Sequence, residues 1–224
     1  MAIFIIFAVI CLSIVYLAIH SSRQQKAQLA YLNNYQFHPA IKEKLKNKHP
    51  LLTDKQLEYV LDGLRDFFYL CQQSGSTMVA MPSQVVDDAW HEFILFTQSY
   101  ELFCENALGR FLHHTPAEAM QSPTSAQAGI KRAWRLACSK EAIEPQKPKR
   151  LPRIFAIDAQ LAIVGGFIYS LNCHALTASN GEFCVSHIGC GGCGGGDGGG
   201  NGGESGDGGG CGSGCGGGCG GGGG

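Results

Sequence analysis

Residues 53–72, TDKQLEYVLDGLRDFFYLCQ, decide the fold class of this chain. Thr53 and Gln56 have the spacing of a capping box, in which each side chain satisfies a backbone N–H at a helix start. Leu57, Val60, Leu61, Leu64, Phe67, Phe68 and Cys71 then recur every three or four residues, the period of one helix face. An amphipathic helix over about 54–72 must cover that face with other helices, and the sequence downstream supplies them. Pro82 and Ser83 open a second helix, with Val85, Val86, Ala89, Trp90, Phe93, Ile94 and Phe96 on its apolar side. Thr97 is the expected cap of a third, ended by Gly109 where a left-handed residue is wanted. Ser122-Pro123 begins a fourth, with proline in the first turn where its missing N–H costs little. Pro145, Pro148 and Pro152 mark a break. The fold class expected is therefore mainly α.

The ends of the 224-residue chain differ sharply from this middle. Up to Ile19 the chain is apolar except for Ser13, and about 18 such residues just cross a hydrocarbon core of roughly 30 Å. A cleaved leader would need a basic start and small residues before the cut. No Lys or Arg precedes the run, and Leu17-Ala18-Ile19-His20 is a poor cut site, so a retained anchor is the favoured reading. Arg23 and Lys26 follow it directly, with Lys42, Lys44, Lys46 and Lys48 further on. Positive charge on one side only places the body in the cytoplasm and the N-terminus outside. Thiols are kept reduced there, so the cysteines read as metal ligands or buried apolar groups before disulfides. The expected organisation is an anchor over 1–20, a basic juxtamembrane segment with a solvated helix face over 21–52, a helical domain over 53–180, and a Gly/Cys-rich tail over 181–224.

Ile154 to Leu171 is apolar again, but Asp158, Gln160 and Gly165-Gly166 argue against a second span, since a carboxylate in hydrocarbon is costly. A buried helix and then a short strand at Phe167-Ile168-Tyr169 is the expectation. From Gly189 onward 25 of 36 residues are glycine, too little apolar surface to offset ordering, so disorder is expected there.

Net charge is −1, with every Lys and Arg at or before Arg153 and only acidic charges beyond. Nothing forms the concentrated positive face of a nucleic-acid binder. The partners expected are a membrane and, through the tail, a protein. The chain has no phosphate loop, no Rossmann glycine fingerprint in the strand-to-helix setting that gives it meaning, and no G-x-S-x-G elbow, which removes the usual sequence pointers to an enzyme class.

Two groups of residues carry chemistry. Asp87 and His91 are four apart on one helix face, with Asp88 almost as near, and Cys104, His113 and His114 follow. Asp87, His91, Cys104 and His114 together would suit Zn²⁺ or a similar soft transition metal. Packing explains the same residues: buried Cys is common, and a His beside Trp90 often just hydrogen-bonds a neighbour. General acid–base chemistry at His91, oriented by Asp87 or Asp88 and completed by Cys104 or His114, is the third reading. In the tail, Cys184, His187, Cys190 and Cys193 set soft donors at every third position, a spacing that suits a metal or a plain flexible tether.

The run Asp87-Asp88-Ala89-Trp90-His91, with Tyr100, Cys104, Gly109-Arg110, Leu112 and His114, resembles the D-x-x-W-H…Y…C…G-R-x-L-x-H block of the glycine-rich domain-containing proteins. The likeness covers about thirty residues and the character of the tail. It implies kinship and supplies no mechanism. This chain differs from the larger members in its single block and its apolar N-terminus. The functions open at this stage are a membrane-tethered binding or scaffold module with a metal, an enzyme centred on His91, and an assembly protein acting through the glycine tail.

Overall fold

The computed structural model describes residues 2–114, 123–171, 182–185 and 188. Seven helices and two short strands lie among them: α1 (Ala2–Asn34), α2 (Pro39–Lys48), α3 (Asp54–Gln73), α4 (Gln84–Ile94), α5 (Thr97–Leu108), α6 (Pro123–Lys140), α7 (Arg153–Gln160), β1 (Ile168–Ser170) and β2 (Glu182–Cys184). The protein is mainly α.

The hub is α3. Its capping box forms as the sequence expects: Thr53 N donates to Gln56 Oε1 at 2.8 Å, and Gln56 N donates to Thr53 Oγ1 at 3.3 Å. Leu57, Val60, Leu61, Leu64, Phe67, Phe68 and Cys71 are all buried. Gly63 allows the closest approach. A Cβ there would stand 2.9 Å from Val86 and 3.3 Å from Ile157, so its bare backbone seats α4 and α7 together.

α1 is one unbroken helix of 33 residues, roughly 50 Å long at 1.5 Å per residue. It is the one helix among the described residues long and apolar enough to cross a membrane. Its described side chains between Phe4 and Ile19 are exposed, and it enters the core at Leu32. The helix runs unbroken through residue 20. The 21–52 segment is not simply a solvated face. Leu32, Ile41, Leu45 and Leu52 are buried. Tyr35 and Phe37 join Phe93 and Phe103 in an aromatic cluster, with Tyr35–Phe103 centroids 4.7 Å apart. The lysines of α2 each find a partner on the domain: Lys42 with Glu58 at 2.8 Å, Lys44 with Glu92 at 3.2 Å, Lys48 with Asp88 at 2.6 Å, and Lys46 with the Leu52 carbonyl. The helical domain therefore begins well before residue 53.

Ser83 caps α4, accepting from Val86 N at 3.2 Å. Thr97 is not a cap. Phe96 holds that position without a side-chain bond, because α5 follows α4 through a tight turn in which Phe96 N donates to Phe93 O at 3.0 Å. Gly109 ends α5 at φ 68°, in the left-handed region glycine enters freely. α6 buries Ala133, Trp134, Ala137 and Cys138, and Trp134 packs edge-on against Phe155 of α7.

The Ile154–Leu171 stretch is a core helix followed by a strand. Asp158 is buried because four donors surround it. Ser83 Oγ (2.7 Å) and Val85 N (3.2 Å) reach Oδ1, and Gln84 N (2.7 Å) and Phe167 N (2.8 Å) reach Oδ2. The carboxylate thus sits on the N-terminus of α4, where the helix dipole favours negative charge. β1 pairs in parallel with β2, in the register Ile168↔Glu182, Tyr169↔Phe183 and Ser170↔Cys184. That second strand lies beyond the expected domain limit of 180. The glycine-rich residues from Gly189 onward lie outside the described residues.

Candidate metal centre

α4 carries two of the functional side chains. Asp87 and His91, one turn apart, point the same way, with Asp87 Oδ2 3.5 Å from His91 Nδ1. Asp88 turns to the opposite side. It is buried against α2, with Lys48 Nζ at 2.6 Å, His49 Nε2 at 2.8 Å and Gln84 Nε2 at 3.3 Å. Of the two acids, Asp87 is the one that faces the histidines.

The third side chain arrives by a turn. Gly109 reverses the chain, and Arg110 holds the reversal by donating from Nε and Nη2 to the Gly75 carbonyl at 3.0 and 2.6 Å. Tyr100 then fixes the returning strand: its hydroxyl accepts from Trp90 Nε1 at 3.1 Å and donates to the Leu112 carbonyl at 2.5 Å. Two residues on, His114 Nε2 lies 3.1 Å from Asp87 Oδ1. The His91 and His114 ring centroids are 4.3 Å apart, and Trp90 closes the inner side, 4.5 Å from His114 at 69°.

The result is one carboxylate oxygen and two imidazole nitrogens, all within 4.8 Å of one another. A tetrahedral ion with bonds of about 2.0–2.1 Å holds its donors about 3.3 Å apart, so small rotations of these side chains suffice to close on one. Exposure is graded across the group: 13% for the His114 side chain, 21% for Asp87 and 46% for His91. The packed end is at His114 and the open end at His91.

Cys104 does not join them. α5 turns it into the core, fully buried, with its neighbours Tyr100 and the Leu112 backbone. Burial pushes its thiol up, against the opposing hydrogen bonds of Leu112 and Tyr100. Cys71 is buried likewise, its thiol pushed up to about 12 by desolvation. His113 points out and packs on Phe111, 4.9 Å between centroids. Of the tail donors, Cys184 is the last residue of β2, and nothing of its side chain is described. His187, Cys190 and Cys193 lie outside the described residues. Sequence reasoning did not find the supporting pairs, Asp88 with Lys48 and His49, or Asp158 with the start of α4. Each joins residues dozens of positions apart, and only the paired residue types hint at them.

A helical domain with an Asp-His-His cluster at the edge of its core, carried on an apolar N-terminal helix, defines the class of this protein. The chain belongs to the UCP032817-like family, whose model matches residues 27–188. That span takes in the end of α1, the whole helical domain and both strands. No curated protein and no solved structure matches the chain.

Proposed function

We propose that this protein is a membrane-tethered binding module that holds a divalent transition ion, Zn²⁺ foremost, between Asp87, His91 and His114. One observation carries the reading: an acid and two histidines, brought from two separate segments, converge with their ligand atoms within 4.8 Å. Borderline ions of the zinc type favour this nitrogen and oxygen donor set. Tyr100 and Trp90 hold the returning strand in place, the kind of outer-shell support that metal ligands need. The apolar half of α1 anchors the domain, and Arg23 and Lys26 on its domain side favour a cytoplasmic body. The tail thiols are the competing, softer donor set.

The test is metal content of the full chain, purified in detergent under reducing conditions. About one equivalent of ion is expected, lost in His91→Ala and in His114→Ala. It is retained when Cys184, Cys190 and Cys193 are changed to Ser. An ion that follows the tail cysteines and ignores both histidines refutes the site, and so does a chain that binds none.

A further inference from the structure

We infer that the Asp87–His91–His114 centre keeps one coordination position open to solvent and takes an exchangeable small anion or water there. The inference rests on the metal-binding reading above and says what kind of centre it is. Zinc sites that serve only structure are closed by four protein ligands, whereas three protein ligands leave a fourth position for water or substrate.

Among the described residues the protein supplies three donors to this point. The other side chains of suitable type nearby are committed elsewhere. Asp88 faces Lys48 and His49 across the helix. Cys104 is sealed in the core beside Tyr100. His113 turns out to Phe111. Behind His114 stands the Trp90 ring, which has no lone pair to offer, and its indole N–H is already given to Tyr100.

Among the described residues, access is one-sided. The inner wall is aromatic and packed, and the half-exposed His91 ring forms the outer edge, so an incoming ligand reaches the ion from the His91 side. Charge sets the ligand's class. A divalent ion with one carboxylate and two neutral imidazoles keeps a net charge of about +1, which favours hydroxide, carboxylate or a phosphoryl oxygen over a cation.

The chain itself offers one competitor. Glu118 is the only carboxylate between His114 and Pro123 in the sequence. The experiment therefore includes it. The full chain in detergent, with Cys173 and the cysteines from Cys184 onward replaced by serine, is loaded with one equivalent of Co²⁺. Azide is then titrated in while the visible spectrum is followed. Expected is a cobalt spectrum free of thiolate charge-transfer bands, and a saturable shift of its visible bands with azide, the same in Glu118→Ala. Cobalt that binds through His91 and His114 but ignores azide shows a closed centre, and overturns this inference while the metal-binding reading stands. Azide binding that appears only in Glu118→Ala overturns it too, by naming the fourth ligand. Failure to bind cobalt removes the parent reading and this one with it.

Discussion

Replacing Asp158 by Asn changes two atoms' chemistry and almost no volume, yet it should be among the most damaging substitutions in this fold. The carboxylate accepts four hydrogen bonds, two on each oxygen, from Ser83, Gln84, Val85 and Phe167. It has no Lys, Arg or His within salt-bridge range among the described residues, so these donors and the α4 dipole are what stabilise its charge. An amide keeps one accepting oxygen and puts an NH₂ where two other donors already point. Two bonds to a charged acceptor are lost, each worth about 1.5–3 kcal/mol, giving roughly 3–6 kcal/mol in all. A domain of ordinary stability has only about 5–15 kcal/mol to lose. At about 2–4 °C per kcal/mol, the melting temperature should fall by roughly 6–24 °C. The assay is thermal unfolding of the full chain in detergent, followed by tryptophan fluorescence. Trp90 lies on α4, and Trp134 packs on α7 through Phe155, so both sides of the Asp158 contact report. Ser83→Ala, which removes one of the four donors at about 1.5–3 kcal/mol and the α4 cap at about 0.5–2 kcal/mol, should cost somewhat less, about 2–5 kcal/mol. An Asp158→Asn protein within about 1 kcal/mol of the parent would refute the account, because it would mean the four bonds had not been stronger than those the same groups make to water.

Three further outcomes are expected. Gly63→Ala should destabilise by up to about 2 kcal/mol net, since overpacking against Val86 and Ile157 at about 1–3 kcal/mol offsets or exceeds a helix-propensity gain near 1 kcal/mol; denaturant titration showing a gain would mean that α4 or α7 shifts freely. Tyr100→Phe should cost about 1–3 kcal/mol and weaken metal binding roughly tenfold, because the strand carrying His114 loses its tie to Trp90 and Leu112; unchanged metal affinity by competition with a chelator would count against its positioning role. Burial pushes the Cys71 thiol up to about 12 from an ordinary value of 9.0, so the stability it contributes is intact below pH 9 and is lost as pH rises through 12, on the order of 4 kcal/mol. Cys71→Ala should flatten that alkaline decline, and a decline of equal slope in the variant would assign it to other groups.

The parts of the fold that were legible in the sequence are those whose signal is local. The α3 capping box, the α4 start at Ser83 and the Gly109 stop each lie within a few residues of the group they satisfy. The parts that were not legible rest on distant partners or on too few residues. α2 reads as a run of lysines because its core contribution is only Ile41 and Leu45, while the carboxylates that neutralise Lys42, Lys44 and Lys48 lie on α3 and α4. β2 is three residues long and carries no period. In the site, helical spacing placed Asp87 with His91, and the same spacing made Asp88 look nearly as good; only the packing of α2 decides which acid turns inward. Cys104 was a fair candidate by residue type. Its exclusion depends on the rotation of α5, which an aromatic core made of residues from four helices determines.

The same aromatic core fixes how far the centre stands from the membrane end of α1. α5 runs against α1 in the opposite sense: Phe103 packs on Tyr31 and Tyr35, and a Cβ on Gly109 would fall 2.6 Å from Gln28. The α1 stretch from His20 to Tyr31 contains no Gly or Pro, so nothing in it invites a hinge. From Ile19 to Gln24, where contact with the Gly109 turn begins, is five residues, about 7–8 Å of helix. That is close to the thickness of one headgroup layer, about 5–8 Å. With α1 spanning a bilayer as proposed, the turn at Gly109 therefore abuts the lipid surface. Phe111 then leads back along α5 to Tyr100, so His114 is carried away from that surface by up to five extended residues, about 15 Å. If α1 is the anchor proposed above and the Asp87–His91–His114 centre holds an ion, a link this short and straight would keep the His91 edge at a fixed height above the membrane, and a ligand for the ion would arrive from the aqueous side.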